Sequence, residues 1–351
     1  MTLSPQAPHP FDRLTPDVVV DALAAVGLMA DGRLMALNSY ENRVYLAYLE
    51  RGTPLADAHP AVVLKFYRPG RWSAAQIAEE HAFAAELMAA EVPVVGPLHL
   101  NGRTLHEFDG YAFSVSPRRG GRAPELDDPE ALEAIGRFLA RLHGVGAAAP
   151  FARPGINAQT YGHAPREWLL AQGAVAPEVR SEWAELSENA IQIAAASASP
   201  TSDGGHFDSD INPIATLRLH GDCHPGNILW TPLDVPGGGP HFVDLDDCRS
   251  GPAVQDLWML LSGERHDQQR QLGALLDGYE QLREFDRREL ALIEPLRTLR
   301  LIHYSAWLAQ RWGDPAFPAA FPWFGTADYW RGQVHMLTEQ IEAMQSPPLV
   351  A

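Results

Sequence analysis

The sequence predicts an α+β chain in two parts, a small antiparallel sheet with one main helix followed by a larger, mostly helical region. Three observations carry this. Up to about residue 116 the apolar runs are short, with hairpin signals between them, and only one long helical stretch interrupts the strands. Beyond residue 117 the apolar residues recur at helical spacing, beginning with Leu132, Ile135, Leu139 and Leu142. Between the two lies Ser116-Pro117-Arg118-Arg119-Gly120-Gly121, whose Pro and Gly mark a hinge. The division is therefore 1–116 for an N-terminal lobe and 117–351 for a C-terminal lobe, with the Pro-rich stretch Met1 to Pro10 expected to be disordered.

Each element has a local reason. Thr15-Pro16-Asp17 opens a helix running to about Val26, with Pro at its first position. Leu34 to Leu37 and Val44 to Leu49 read as strands around the polar turn Asn38 to Arg43, and Ala61 to Tyr67 as the next strand. Ser73-Ala74-Ala75-Gln76 is a capping-box pattern for a helix to about Met88. Leu98 to Leu100 turns through Asn101-Gly102, and Tyr111 to Val115 completes the sheet. Helices follow over Pro129 to His143, Ala164 to Gln172, Pro177 to Ala196 and Ala253 to Leu261, and within Gln268 to Leu282, Asp286 to Trp312 and Ala327 to Met344. Ser197 to Pro213 reads as a flexible insertion, and Thr216 to Leu219, Ile228 to Trp230 and His241 to Val243 as short strands. Trp307, Trp312, Trp323 and Trp330 read as helix packing rather than a ligand box.

Composition excludes several classes of function. A formal net charge of −17 disfavours nucleic acid as a main partner, because a phosphate backbone calls for a basic face. No run of about 18 apolar residues predicts a membrane span, and the N-terminus lacks the basic and apolar regions of a secretory leader. Cys223 and Cys248 are the only cysteines, so no disulfide framework is expected and a cytoplasmic location is.

The chemistry is concentrated in one stretch, LRLHGDCHPGNILWTPLDVPGGGPHFVDLDD, Leu217 to Asp247. An apolar run delivers His220-Gly221-Asp222 to a loop, Asn227 follows after four residues, and a short hairpin ends at Asp244. That order and spacing match the loop of phosphoryl-transfer enzymes, in which an Asp accepts the proton of the attacking hydroxyl and an Asn and a second Asp hold Mg²⁺. Asp222 is the candidate base, Asn227 and Asp244 the candidate metal ligands, and Asp244 is also counted in the catalytic set. Asp246 and Asp247 could line an acidic pocket for a cationic acceptor or add to the metal-site field.

A second signal is compositional. Of 27 Lys and Arg residues only Lys65 is lysine, and it falls in the strand Val62-Val63-Leu64-Lys65, where a kinase carries its phosphate-gripping lysine. On the following helix, at about 100° per residue, Glu80 shares the apolar arc of Ile77, Ala84 and Leu87 while Glu79 points away. Glu80 is therefore the expected partner of Lys65, and Glu79 a solvated charge. The turn Asn38 to Arg43 has no glycine, so a Gly-rich phosphate cradle is absent and any nucleotide contact falls to backbone N–H groups and the Ser39 hydroxyl. Backbone near Ser114 to Ser116 is the expected adenine contact, in a cleft between the lobes.

LNSYENRVY (Leu37 to Tyr45), VVLKFYRPGRW (Val62 to Trp72), LHGDCHPGNILW (Leu219 to Trp230) and FVDLDD (Phe242 to Asp247) together resemble the bacterial stress-response Ser/Thr protein kinases of the aminoglycoside-phosphotransferase and choline-kinase-like superfamily. GPAVQDLWMLL (Gly251 to Leu261) and WGDPAFP (Trp312 to Pro318) extend the resemblance from about Leu14 to Leu349. It implies a bilobal protein-kinase-like fold, ATP with Mg²⁺, a cytoplasmic monomer, and protein Ser/Thr hydroxyls as acceptors, including the enzyme's own. It also implies a role in envelope and oxidative stress. By the same resemblance Ser39 belongs to the ATP-covering turn, Lys65 to the phosphate clamp, and Asp256 to a backbone support of the catalytic loop. The insertions at Thr53 to His59 and Ser202 to Asn212, and the long turn Thr231 to Pro240, bear on acceptor choice. The superfamily also supports small-molecule kinases acting on an amino alcohol, a sugar or an aminoglycoside, and fold does not fix the acceptor.

Overall fold

The computed structural model describes residues 9–197 and 213–351. The expected disorder before Pro10 and the insertion Ser197 to Pro213 therefore fall almost wholly outside the described residues. In chain order the elements are α1 (Pro16–Ala25), β1 (Ala30–Leu37), β2 (Arg43–Leu49), β3 (Ala61–Phe66), α2 (Ala74–Ala89), β4 (His106–Phe108), β5 (Tyr111–Pro117) and α3 (Pro129–Gly146). A π-helical turn, Ala158–His163, runs into α4 (Ala164–Ala171), followed by α5 (Arg180–Ser197) and β6 (Leu217–Leu219). Then come β7 (Ile228–Thr231), β8 (Gly239–Phe242), β9 (Arg249–Gly251), α6 (Val254–Trp258), α7 (Arg265–Tyr279), α8 (Ile293–Gln310), α9 (Ala316–Ala320) and α10 (Ala327–Gln345). The mixed α+β class, with an antiparallel sheet before a helical region, is the one the sequence predicts.

The described chain forms two compact units. The first comprises residues through Ala123 with Ile228–Asp246 and Gly313–Ala316. Its sheet is antiparallel in the order β1-β2-β3-β5-β4. Side chains alternate along β3, so Val62, Leu64 and Phe66 enter the core while Val63 and Lys65 turn to the other face. The core side is covered by α1, whose Val19, Ala22 and Leu23 join Leu64, Phe66, Phe113 and Val115 in one apolar cluster. Thr15 caps α1 by accepting from the Val18 N–H, and Ser73 with Gln76 makes both bonds of the capping box that starts α2. The hairpin β7–β8 belongs to this unit because its second strand is sewn to segment 93–95: Val95 N–H donates to Phe242 O (2.9 Å) and Phe242 N–H to Pro93 O (2.8 Å).

The second unit holds the described residues of 124–227 together with 247–312 and 317–351. Here α3 lies directly on α7, and the approach is close enough that a Cβ on Gly136 would stand 1.9 Å from Leu275 O. Only glycine fits at that crossing. Trp183 of α5 meets Trp330 of α10 edge to face at 5.6 Å, both fully buried. The C-terminal tryptophans are thus packing residues except Trp323, which is exposed against Tyr329.

The long helix expected within Asp286 to Trp312 is α8, entered through a 3₁₀ segment, Arg287–Leu292, and Pro295 sits in the first turn of α8, where its missing N–H costs nothing. The helix expected over Ala253 to Leu261 spans only Val254–Trp258. The strand β9, which pairs with β6 in the register Leu217↔Gly251 and Leu219↔Arg249, has no expectation behind it. No helix of the described residues is long and apolar enough to cross a membrane.

Candidate active site

In the first unit the chemistry gathers around the lone lysine. Lys65 Nζ lies 2.9 Å from Asp244 Oδ1, 3.1 Å from Asp246 Oδ1 and 3.5 Å from Glu80 Oε1, with its side chain only 16% exposed. Burial pulls the pKa of this amine down, but the fields of Asp244, Asp246 and Glu80 outweigh it and hold the ammonium well above its ordinary value. Asp246 is shared with Arg71, which donates to its Oδ2. Asp244 follows β8 in the left-handed region, at φ +60°. That region is uncommon for a residue other than glycine, and Asp is among those that adopt it most readily. The Asp244 side chain is 50% exposed.

The glycine-free turn after β1 is held by its own Ser39 and Arg43 and, from outside, by Arg68 and Asp314. Ser39 Oγ donates to Asn42 O (3.2 Å). Arg43 Nη1 donates to the carbonyls of Tyr40 and Asn42, while Arg68 donates through Nε to Glu41 O and through Nη2 to Tyr40 O. The Asn42 side chain closes the loop by accepting from the Arg68 N–H. Both guanidiniums end on Asp314, which accepts from Arg43 Nη2 on each oxygen at 2.8 Å and from Arg68 Nη2 on Oδ2 at 2.7 Å. Asp314 is 1% exposed. Glycine gives a phosphate-covering turn its freedom; here two arginines and a buried carboxylate hold a stiffer turn in one shape.

In the second unit the loop after β6 carries Asp222. Its frame is Asp256, fully buried, whose two oxygens accept the backbone N–H groups of His220 and Gly221, each at 2.8 Å. His143 Nε2 meets the same carboxylate at 3.1 Å and its Nδ1 meets the Tyr279 hydroxyl. Gly221 has φ +83°, and a Cβ there would stand 2.2 Å from Asp247 O, so the turn that presents Asp222 requires glycine. Asn227 Nδ2 donates to Asp222 O at 3.0 Å. Asp222 Oδ1 accepts from Arg300 Nη2 at 2.7 Å, and its Oδ2 is 3.4 Å from Asn227 Nδ2 and 3.6 Å from His224 Nε2.

The structure thus gathers Lys65, Glu80 and Asp244 in the first unit and places Asp222 and Asn227 together in the second, so the stretch Leu217 to Asp247 contributes to both. Ser39 is half-buried with its hydroxyl proton engaged in its own turn, and Ser116 is half-buried on β5 opposite Val63. Glu79, expected to be solvated, is half-buried. Asp246 pairs with Lys65 and Arg71 in the first unit, and Asp247 lies 3.6 Å from Arg249 in the second. The Cys223 thiol is buried, which raises its pKa well above the ordinary value and leaves it unreactive. Arg71 and Asp314 lie in stretches that carry the resemblance but were given no role there, and Arg300 lies in none; each meets its partner across 78 residues or more.

Each unit offers an oxygen donor of the kind a hard divalent cation takes. Asp244 Oδ2 and Asn227 Oδ1 make no hydrogen bond among the described residues, and both are oxygen ligands of the kind Mg²⁺ takes. Among the described residues no three His, Cys, Asp or Glu side chains form a cage, and Mg²⁺ held by one or two protein ligands with phosphate oxygens and water needs none.

Comparison with known proteins agrees with this chemistry. Residues 34–293 match the phosphotransferase enzyme family. The chain is 46% identical over 340 residues, 97% of its length and 96% of the relative's, to the Ser/Thr protein kinase RdoA of Salmonella typhimurium. It is 44% identical, over the same shares of both chains, to stress response kinase A of Escherichia coli K12. Among solved structures it shares its fold with amicoumacin kinase hAmiN in complex with AMP-PNP and Ca²⁺, at a TM-score of 0.66 and 18% identity over 95% of each chain. The chain belongs to the phosphotransferase enzyme family, among the relatives of stress response kinase A.

Proposed function

We propose that the protein transfers the γ-phosphoryl group of ATP, in the presence of Mg²⁺, to Ser and Thr hydroxyls of proteins, its own included. The observation that carries this reading is the Asp222 carboxylate, held on a loop fixed by Asp256 and flanked by arginine rather than by free acidic groups. In the transfer, the acceptor oxygen forms a bond to the γ-phosphorus while the bond from that phosphorus to the β–γ bridging oxygen breaks. ADP leaves, and the hydroxyl proton passes to Asp222. Lys65, kept charged by its three carboxylates, holds the α- and β-phosphates; Glu80 aims it. Asn227 and Asp244 would hold Mg²⁺, which neutralises phosphate charge. The turn around Ser39 covers the nucleotide, and backbone near Ser116 receives the adenine.

Small-molecule kinases share the fold, but an amino alcohol or aminoglycoside is cationic and calls for an acidic pocket. The acids able to form one are already paired with Lys65, Arg71 and Arg249. The 46% identity to a Ser/Thr protein kinase supports a protein acceptor. We place the enzyme in the cytoplasm, as a monomer, in the response to envelope and oxidative stress. The test incubates the purified protein with γ-labelled ATP and Mg²⁺ against protein acceptors, itself alone, and a panel of amino alcohols, sugars and aminoglycosides. Label on Ser and Thr of protein supports the reading; label on the small alcohols alone refutes it.

A further inference from the structure

We propose that Arg300 is an acceptor-binding residue, a guanidinium that receives a carboxylate of the protein acceptor beside the hydroxyl to be phosphorylated, so that Ser and Thr in acidic surroundings are preferred. The inference rests on the protein-kinase reading above and deepens it by naming the class of acceptor.

Arg300 projects from α8, and the only hydrogen bond of its guanidinium among the described residues is the one from Nη2 to Asp222 Oδ1. A guanidinium has five N–H donors in a planar fork and can engage both oxygens of a carboxylate. Here Asp222 Oδ2 is turned to Asn227 and His224 instead, and the Arg300 side chain is 31% exposed. Most of the fork is therefore open beside the candidate base.

The charges around it decide what it can receive. Tyr161 and His303 stack at 4.1 Å in the same unit. Among the charged groups acting on this pair are Arg249, Arg300 and Arg311, with Asp222 and Asp247 opposed to them. Arg249 already faces Asp247, and Arg300 faces Asp222. Arginines are thus gathered beside the candidate base although the whole chain carries −17. Burial and the neighbouring arginines also hold His303 neutral, its pKa drawn down to about 3, so it adds no charge of its own at working pH. A cationic acceptor would meet like charge, whereas a carboxylate gains a bidentate, charge-assisted bond. When Arg300 turns to that carboxylate it also releases Asp222 Oδ1, the oxygen that then accepts the proton of the acceptor hydroxyl.

The test uses the full chain with γ-labelled ATP and Mg²⁺ on single-Ser peptides flanked by Asp/Glu, by Ala/Gln, or by Lys/Arg. Ethanolamine and glycerol 3-phosphate serve as cationic and anionic small alcohols. Wild type should show kcat/KM about ten- to a hundredfold higher on the acidic than on the neutral peptide, the range of one charge-assisted hydrogen bond. Arg300→Gln should bring that ratio close to one, chiefly through KM, and Arg300→Glu should turn the preference toward the basic peptide. Equal rates on acidic and neutral peptides in wild type, or a ratio that survives in both variants, would overturn the inference and leave the protein-kinase reading standing. Glycerol 3-phosphate labelled in preference to every peptide would instead assign the anion site to a phosphorylated small alcohol and overturn both, as would labelling of ethanolamine alone.

Discussion

Asp314 lies far in sequence from the turn it stabilises, and its removal should be felt there. The side chain is 1% exposed and holds three donors, Arg43, Arg68 and the Ala316 N–H. Asp314→Ala leaves two largely buried guanidiniums without their shared anion, and breaking a buried ion pair by removing one partner costs about 3–5 kcal/mol. Asp314→Asn keeps the volume and one acceptor oxygen but sets an NH₂ against an arginine, so the loss should be near that of one charged hydrogen bond, about 1.5–3 kcal/mol. Burial alone would raise the Asp314 pKa, but the bonds from Arg68 and Ala316 and the field of Arg43 outweigh it and hold the group below its ordinary 3.8. A depressed folded-state pKa gives stability that is fully present above the unfolded value and is lost as pH falls through the folded one. The wild-type advantage over Asp314→Asn should accordingly be flat through neutral pH and shrink only below about pH 4. Because Arg43 and Arg68 hold the carbonyls of Tyr40, Glu41 and Asn42, KM for ATP should rise in Asp314→Asn by more than kcat falls. Denaturant melts across pH, with ATP kinetics on the same preparation, make the check. A variant with parental stability and parental KM would show that the clamp holds nothing.

Lys65→Arg should sharply reduce transfer, because a planar fork cannot replace a compact ammonium among three carboxylates, and Glu80→Gln should give a milder loss in the same direction; parental rates in Lys65→Arg would remove the lysine from the site. Gly221→Ala should destabilise by roughly 2–6 kcal/mol, adding the strain of positive φ to the overlap with Asp247 O; an unchanged melting temperature would mean the loop is not held as described.

What the sequence made legible was local. The capping box at Ser73 and Gln76 is four consecutive residues, and both of its bonds are present. The wheel that sets Glu80 on the buried face of α2 needs only helical period, and Glu80 is buried 3.5 Å from Lys65. Asp222 and Asn227 are spaced for one turn, and Asn227 Nδ2 reaches back to Asp222 O. What was not legible depends on tertiary approach. Nothing periodic links Arg300 to Asp222, or Asp314 to Arg43 and Arg68 across 271 and 246 residues. Arginine is so common in this chain that no single one stands out. The three residues of β9 carry too short a pattern to be read as a strand, and only their pairing with β6 defines them. The acidic run Asp244 to Asp247 is plain in the sequence, but the pairing of Asp244 and Asp246 is set by Lys65 and Arg71, which come from elsewhere, and Asp247 faces Arg249 just after the run.

The central claim is that Asp222 takes the proton of a protein hydroxyl, and the most direct measurement compares wild type and Asp222→Asn in the γ-labelled ATP assay on protein acceptors. Nucleotide binding and melting behaviour are followed on the same samples. The account predicts label on Ser and Thr with wild type, and transfer lower by about 10²–10⁴ in Asp222→Asn, the range for a lost general base, with nucleotide still bound. Transfer by Asp222→Asn at the parental rate would contradict it.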